Sequence, residues 1–174
     1  RDDFLNRDTF GVTIDASGEA LVAYWFWVAL GDSLSDGKVL PERRFQRDWD
    51  GPWLGKSSTT ENGWSAEFFL PWSMMNMPQV EGPKTIGFAA KRNLSSSDQS
   101  YGWPGYAQSS ARFVSALNEL EISGVQPRAQ VSVIPFAAST YDEVYNEVDN
   151  KVGLDLSWKP SPKVEVALTA NPDF

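Results

Sequence analysis

The chain has 174 residues and a formal net charge of −8, with 15 Lys and Arg against 23 Asp and Glu; apolar residues make up 41% and aromatic residues 13%. That balance excludes the basic face a nucleic-acid surface needs, while the apolar content allows a buried core. Cys and His are both absent, which removes thiol chemistry, Cys/His zinc sites and a His general base.

In chain order the pattern is almost entirely that of short strands broken by Gly, Pro, Asn, Asp and Ser. Residues 10–15 read as a strand ending in an acidic turn. Residues 20–30 form a long uncharged apolar strand that predicts cover on both faces, and residues 31–50 read as a polar loop. A hairpin is expected from residues 53–58 to residues 64–72, with Asn62-Gly63 at its turn. The only helix-like stretch is residues 73–77, after Pro71. Residues 85–92 alternate as another strand, residues 95–110 read as an aromatic loop, and residues 117–122 close the region as a strand.

Residues 124–127 read as a linker, and the texture then changes. Residues 130–137, 152–159 and 164–170 predict three amphipathic strands, with Leu154, Leu156 and Trp158 on one face and Val164, Val166, Leu168 and Ala170 on one face of the next. Residues 142–150 read as an acidic loop, and residues 160–163 as a tight turn. Apolar-out and polar-in strands of this length fit a transmembrane β-barrel wall; a soluble β-meander has the same pattern. No stretch of 18 apolar residues predicts a membrane helix. The strand over residues 164–170 is followed at once by Asn171-Pro172-Asp173-Phe174, so the chain is expected to be a segment of a longer protein, with open strand edges to be covered by a second copy or by the rest of its own chain.

The sequence elements that carry a resemblance are residues 10–15, Trp49-Asp50 with Trp53, Gly63-Trp64-Ser65-Ala66-Glu67 with Leu70-Pro71, residues 87–92, Trp103-Pro104, Gly153-Leu154-Asp155-Leu156, and the Asn171-Pro172-Asp173-Phe174 ending. Together they resemble bacterial outer-membrane proteins that join a carbohydrate-binding family 9-like domain to a C-terminal β-barrel of the DUF5916 type. The resemblance implies an all-β fold: an antiparallel β-sandwich over residues 1–126, incomplete at its N-terminus, then the first strands of a β-barrel over residues 127–174. It also implies a Gram-negative outer-membrane location with the sandwich in the periplasm, where it would bind carbohydrate or gate the barrel.

Candidate site residues follow from chemistry. Sugar-binding modules set aromatic rings against the apolar face of a pyranose, and Trp49, Trp53, Tyr101, Trp103 and Tyr106 stand in loop or strand-edge contexts suited to that. Trp25, Trp27, Trp64 and Trp72 read as core. Asp48 and Asp50 flank Trp49 and are candidate calcium ligands, calcium being a common structural ion in such modules, although Asp2, Asp3, Asp8 and Asp15 also cluster and solvated acids have the same appearance. Glu67 sits in an apolar strand, where an ion pair with Lys91 or Arg92 accounts for it. No motif places a second carboxylate for glycoside hydrolysis, and no Gly-rich phosphate loop is present. The residues therefore favour a noncatalytic binding domain. The alternatives are an assembly domain of an envelope complex without a sugar ligand, and third a polysaccharide hydrolase.

Overall fold

The structure is a computed structural model that describes residues 6–78, 80–105, 110–126, 130–142, 145–161 and 164–171. The expected all-β class holds: among the described residues every strand pairing is antiparallel, and helix is confined to single turns at Pro41–Arg43, Trp72–Met74 and Val114–Ala116. The chain divides into two compact units, residues 1–126 and residues 127–174.

In the first unit, β1 (Thr9–Asp15), β2 (Ala23–Ala29), β3 (Leu34–Leu40) and β4 (Arg44–Gln46) run as a meander. The chain then leaves the sheet for the hairpin β5 (Leu54–Thr60) and β6 (Gly63–Phe69). It returns as β7 (Lys84–Leu94), followed by β8 (Gln99–Trp103) and β9 (Asn118–Ile122). The resulting seven-stranded sheet has the order β4-β3-β2-β1-β7-β8, with β9 pairing the first half of β7 and β8 the second.

The sheet has two apolar faces, as the uncharged β2 requires. On one face Val12, Ile14, Tyr24, Phe26 and Val28 meet Trp53, Met74, Met75 and Met77, with Ala66 and Phe68 of the hairpin packed against them. The two antiparallel layers make this unit a β-sandwich. Phe26 is completely buried; its ring meets Trp53 edge-on at 5.2 Å, and Trp53 in turn stacks on Phe68 at 6.0 Å. The Tyr24 hydroxyl accepts from the Asn76 amide at 3.2 Å, tying the Met-rich segment to the sheet, and burial pushes the pKa of that phenol up. On the opposite face Ala23, Trp25 and Val39 meet Phe113 and Val114.

Two polar clamps secure the turns. Asp15 is buried, and its carboxylate accepts from Ser17 N and Oγ, Gly18 N and Ala20 N, closing the connection between β1 and β2. Asp32 accepts from both Ser57 N (2.7 Å) and Ser57 Oγ (2.8 Å), joining the β2–β3 turn to the hairpin layer. Those bonds hold the Asp32 carboxyl below its ordinary 3.8. The contribution of this clamp is therefore present above pH 3.8 and is lost as pH falls through the lower folded value. Asp32→Asn is expected to remove that part of the acid-side slope, which pH-dependent urea melts of both proteins would measure.

Two expected loops of the first unit contain strands. The expected polar loop over residues 31–50 contains β3 and β4. Its polar residues are used inside the fold: buried Asp36 accepts from Gly51 N at 2.8 Å, and Gly37 leaves room for Trp25, since a Cβ there would lie 2.6 Å from the indole Cζ2. The expected aromatic loop over residues 95–110 contains β8, because β7 extends to Leu94 and offers an edge to pair with. Hydrophobic alternation finds neither strand, because the register of a neighbour supplies the order.

The second unit is the antiparallel sheet β10 (Gln130–Asp142), β11 (Glu147–Ser161) and β12 (Val164–Ala170), in that order. The expected acidic loop over residues 142–150 is mostly strand: β11 starts at Glu147 and pairs with β10 from Asp142 onward. Register partners Val131–Trp158–Val166, Val133–Leu156–Leu168 and Pro135–Leu154–Ala170, continued by Ala137–Val152 and, beyond the polar pair Ser139–Asn150, by Tyr141–Val148, place a mostly apolar set on one face. Ser132, Asp155, Lys151, Asp149 and Thr169 belong to the other, together with Ile134 and Phe136. Val152 is 68% exposed and Leu168 60% exposed, so no described residue of this unit covers the apolar face.

Candidate functional site

The second face of the seven-stranded sheet is only partly covered. Beyond Phe113 and Val114 it opens into a groove of about 490 Å³, within the size range of small-ligand sites. Register builds its floor. Trp27 on β2 lies opposite Gly11 on β1, Gly11 lies opposite Lys91 on β7, and Lys91 lies opposite Gly102 on β8. The next row is Gly37, Trp25, Thr13 and Ala89.

Gly11 is the key small residue. A Cβ built there would lie 2.7 Å from both Cε2 and Cε3 of Trp27, so the indole occupies the space a side chain would fill. Glycine at this position lets the ring lie across β1 toward Lys91. Trp25 is anchored behind it by Nε1 donating to the Lys38 carbonyl at 3.2 Å.

The walls are polar and basic. Asn93 and Ser100 face each other across β7 and β8, with Ser100 Oγ donating to Asn93 Oδ1 at 2.7 Å and Asn93 Nδ2 donating to Thr9 Oγ1 at 3.1 Å. Arg43 donates through Nη1 to the Ser110 carbonyl at 3.0 Å and lies over the Phe113 ring at 5.4 Å. Arg47 and Lys91 complete the charged lining, and no Asp or Glu is among the described residues of the groove. Burial, and then the adjacent Arg43 charge, push the Lys91 pKa down from 10.5.

That shift has a consequence for stability. A Lys whose folded pKa is depressed lowers stability at neutral pH, and the cost is relieved as pH rises through the folded value toward 10.5. Lys91→Met is therefore expected to raise the melting temperature at pH 7, with the gain shrinking above the folded pKa. Thermal melts at neutral and alkaline pH would check it; an unchanged or lower melting temperature at pH 7 would contradict it.

The residues singled out from sequence are dispersed. Trp53 is only 3% exposed and is committed to the core against Phe26 and Phe68, so its ring offers no surface to a ligand; this corrects the loop reading, because the turn before β5 tucks inward. Trp49 is half-buried against Tyr24, with the Lys38 ammonium 5.6 Å from its ring, on the opposite sheet face from the groove. Tyr101 and Trp103 are 57% and 53% exposed. They alternate with the groove-lining Ser100 and Gly102, and Trp103 meets Phe88, so they too lie on the opposite face. Tyr106 lies outside the described residues, as do Asp2 and Asp3.

Asp48 and Asp50 are exposed, and among the described residues no three carboxylates come together; two alone supply few of the six to eight oxygens calcium takes. Glu67 is exposed opposite Lys56 on the hairpin, and Arg92 pairs instead with Asp8 at 3.9 Å, which corrects the expected ion pair.

Sequence reasoning placed Trp27 in the core and missed the groove. The available signal was Gly11 within an otherwise branched and aromatic strand, which marks a close approach of some other group. No family model matches the chain, and neither a curated protein nor a solved structure matches it.

Proposed function

We propose that the chain is part of an outer-membrane β-barrel protein and that its first unit is a noncatalytic carbohydrate-binding domain whose site is the groove on the second sheet face. The observation that carries this reading is the Trp27 indole laid across Gly11 as the floor of an open groove with Asn93, Ser100 and Thr13 around it. An aromatic ring of this kind suits the C–H face of a pyranose, and the polar rim suits its hydroxyls. The groove contains no carboxylate among its described residues, so it has no acid–base pair for glycoside hydrolysis.

The second unit supports the membrane part of the proposal. Its apolar face is lined by Tyr141 near one end and Trp158 near the other, as the aromatic girdles of membrane barrels are. Trp158 is opposite Val131, and the separation from Val131 to Tyr141 is about 34 Å along an antiparallel strand. At a strand tilt of about 40° this becomes about 25 Å across the bilayer, the height of the apolar band of such barrels. The proposal requires further strands on the free edges of β10 and β12.

Calorimetry against a panel of oligosaccharides tests the binding half. Saturable binding that Trp27→Ala abolishes is expected, and no binding by any of them to a folded protein would overturn it. Flotation with phospholipid vesicles tests the other half: partition of the wild type, lost in a Leu154→Asp and Leu168→Asp double variant, is expected. The exposed Tyr101 and Trp103 on edge strand β8 favour a second reading, an assembly domain of an envelope complex. Under that reading Trp103→Ala would disrupt assembly with no effect on saccharides.

A further inference from the structure

The chain carries eight more acidic than basic residues, yet the groove reverses that sign. Among the described residues its charged lining is Arg43, Arg47 and Lys91. These come from two separate stretches, the one between β3 and β5 and strand β7, so sequence proximity does not explain their convergence. Lys91 lies half-buried beside Arg43, and no carboxylate pairs with it among the described residues. Burial and the adjacent guanidinium both disfavour the Lys91 ammonium, and an anion held at Lys91 would offset that cost. A neutral saccharide would not compensate that arrangement.

The geometry also places the charge relative to the ring. Trp27 and Lys91 stand on either side of Gly11 in one register row, with backbones about 10 Å apart across two strand spacings. The indole bridges part of that gap. A pyranose resting on it projects a ring substituent over the Lys91 and Arg43 side of the groove.

We propose that the groove selects acidic saccharides, with the sugar ring on Trp27 and its carboxylate, phosphate or sulfate group held by Lys91, Arg43 and Arg47. This rests on the saccharide reading above and adds the class of ligand. The three anionic groups share one chemistry here, an oxyanion accepting charge-assisted hydrogen bonds.

Titration calorimetry on the full chain tests it with matched probes: a glucuronic acid oligosaccharide and its neutral glucose counterpart, glucose 6-phosphate and a glucose sulfate against glucose, and inorganic phosphate alone. Acidic sugars are expected to bind at least about tenfold more tightly than their neutral partners, with the preference shrinking from about 50 to about 200 mM salt. The acidic probe that binds best identifies the anionic group. Lys91→Met and, separately, Arg47→Gln, each checked for folding by circular dichroism, should reduce the preference while weak binding of the neutral sugar persists. Equal binding of acidic and neutral sugars would overturn the proposal and leave the saccharide reading standing. Inorganic phosphate binding as tightly as the acidic sugars would overturn the sugar part of both. No binding by any probe to a folded protein would remove both.

Discussion

Phe26→Ala is expected to lower the stability of the first unit by about 3–5 kcal/mol, the range for removing a buried aromatic ring from a packed core. Phe26 is fully buried, and its ring is the surface on which Trp49 and Trp53 rest edge-on. Trp53 then carries Phe68 of the hairpin. Truncation therefore opens a cavity and loosens the contact between the two layers. Since small domains are stable by only about 5–15 kcal/mol, much of the margin disappears, and the melting temperature should drop by roughly 10–20 °C. Phe69→Ala is the matched control: Phe69 is exposed on the outer face of the same hairpin, and its loss should stay within about 0.5 kcal/mol. Urea melts of both variants provide the comparison, and similar losses would contradict the layer arrangement.

Gly11→Ala should have the largest effect on the groove. The added methyl would occupy the space of the Trp27 indole, so the ring must leave its place across β1 or the strand must shift. Overpacking of this kind costs about 1–3 kcal/mol, and saccharide binding should fall by at least about tenfold as the floor is lost. A double-mutant cycle isolates the cause. In a Trp27→Ala background the methyl has nothing to displace, so Gly11→Ala should cost much less stability than in the wild type. Equal costs in both backgrounds would show that Gly11 is needed for its backbone alone. Its φ is not in the left-handed region, unlike those of Gly18 and Gly31, so strain gives no competing account.

Much of the fold was legible from local pattern. The strand character expected for residues 64–72 and 164–170 is a property of each segment by itself, because successive side chains of a strand point to opposite faces. β12 matches it, and β6 matches it up to Phe69, beyond which Pro71 and the turn at Trp72–Met74 end the strand. The uncharged run in β2 similarly called for cover on both faces; one face is covered in full and the other up to Trp27, which borders the groove. β3 and β8 were not legible, since Asp36, Gly37, Ser100 and Gly102 are ordered by the strands they pair with rather than by their own pattern.

The groove was hidden for the same reason. Tryptophan in a strand reads as core, and Trp25 does lie buried there. Trp27, two residues on along the same strand and face, lines an opening instead. Trp53 moved in the other direction, from an expected surface loop into the core.

By itself the sequence determined the strand character of most segments, the excess of negative charge and the absence of His and Cys, because these depend only on local pattern and composition. Tertiary structure decided which segments became neighbours. By setting β7 beside β1 it brought Lys91 next to Gly11 and within reach of Trp27 and Arg43. Long-range strand pairing and register are responsible: they cost loop-closure entropy that the packed faces must offset, and no local pattern encodes them.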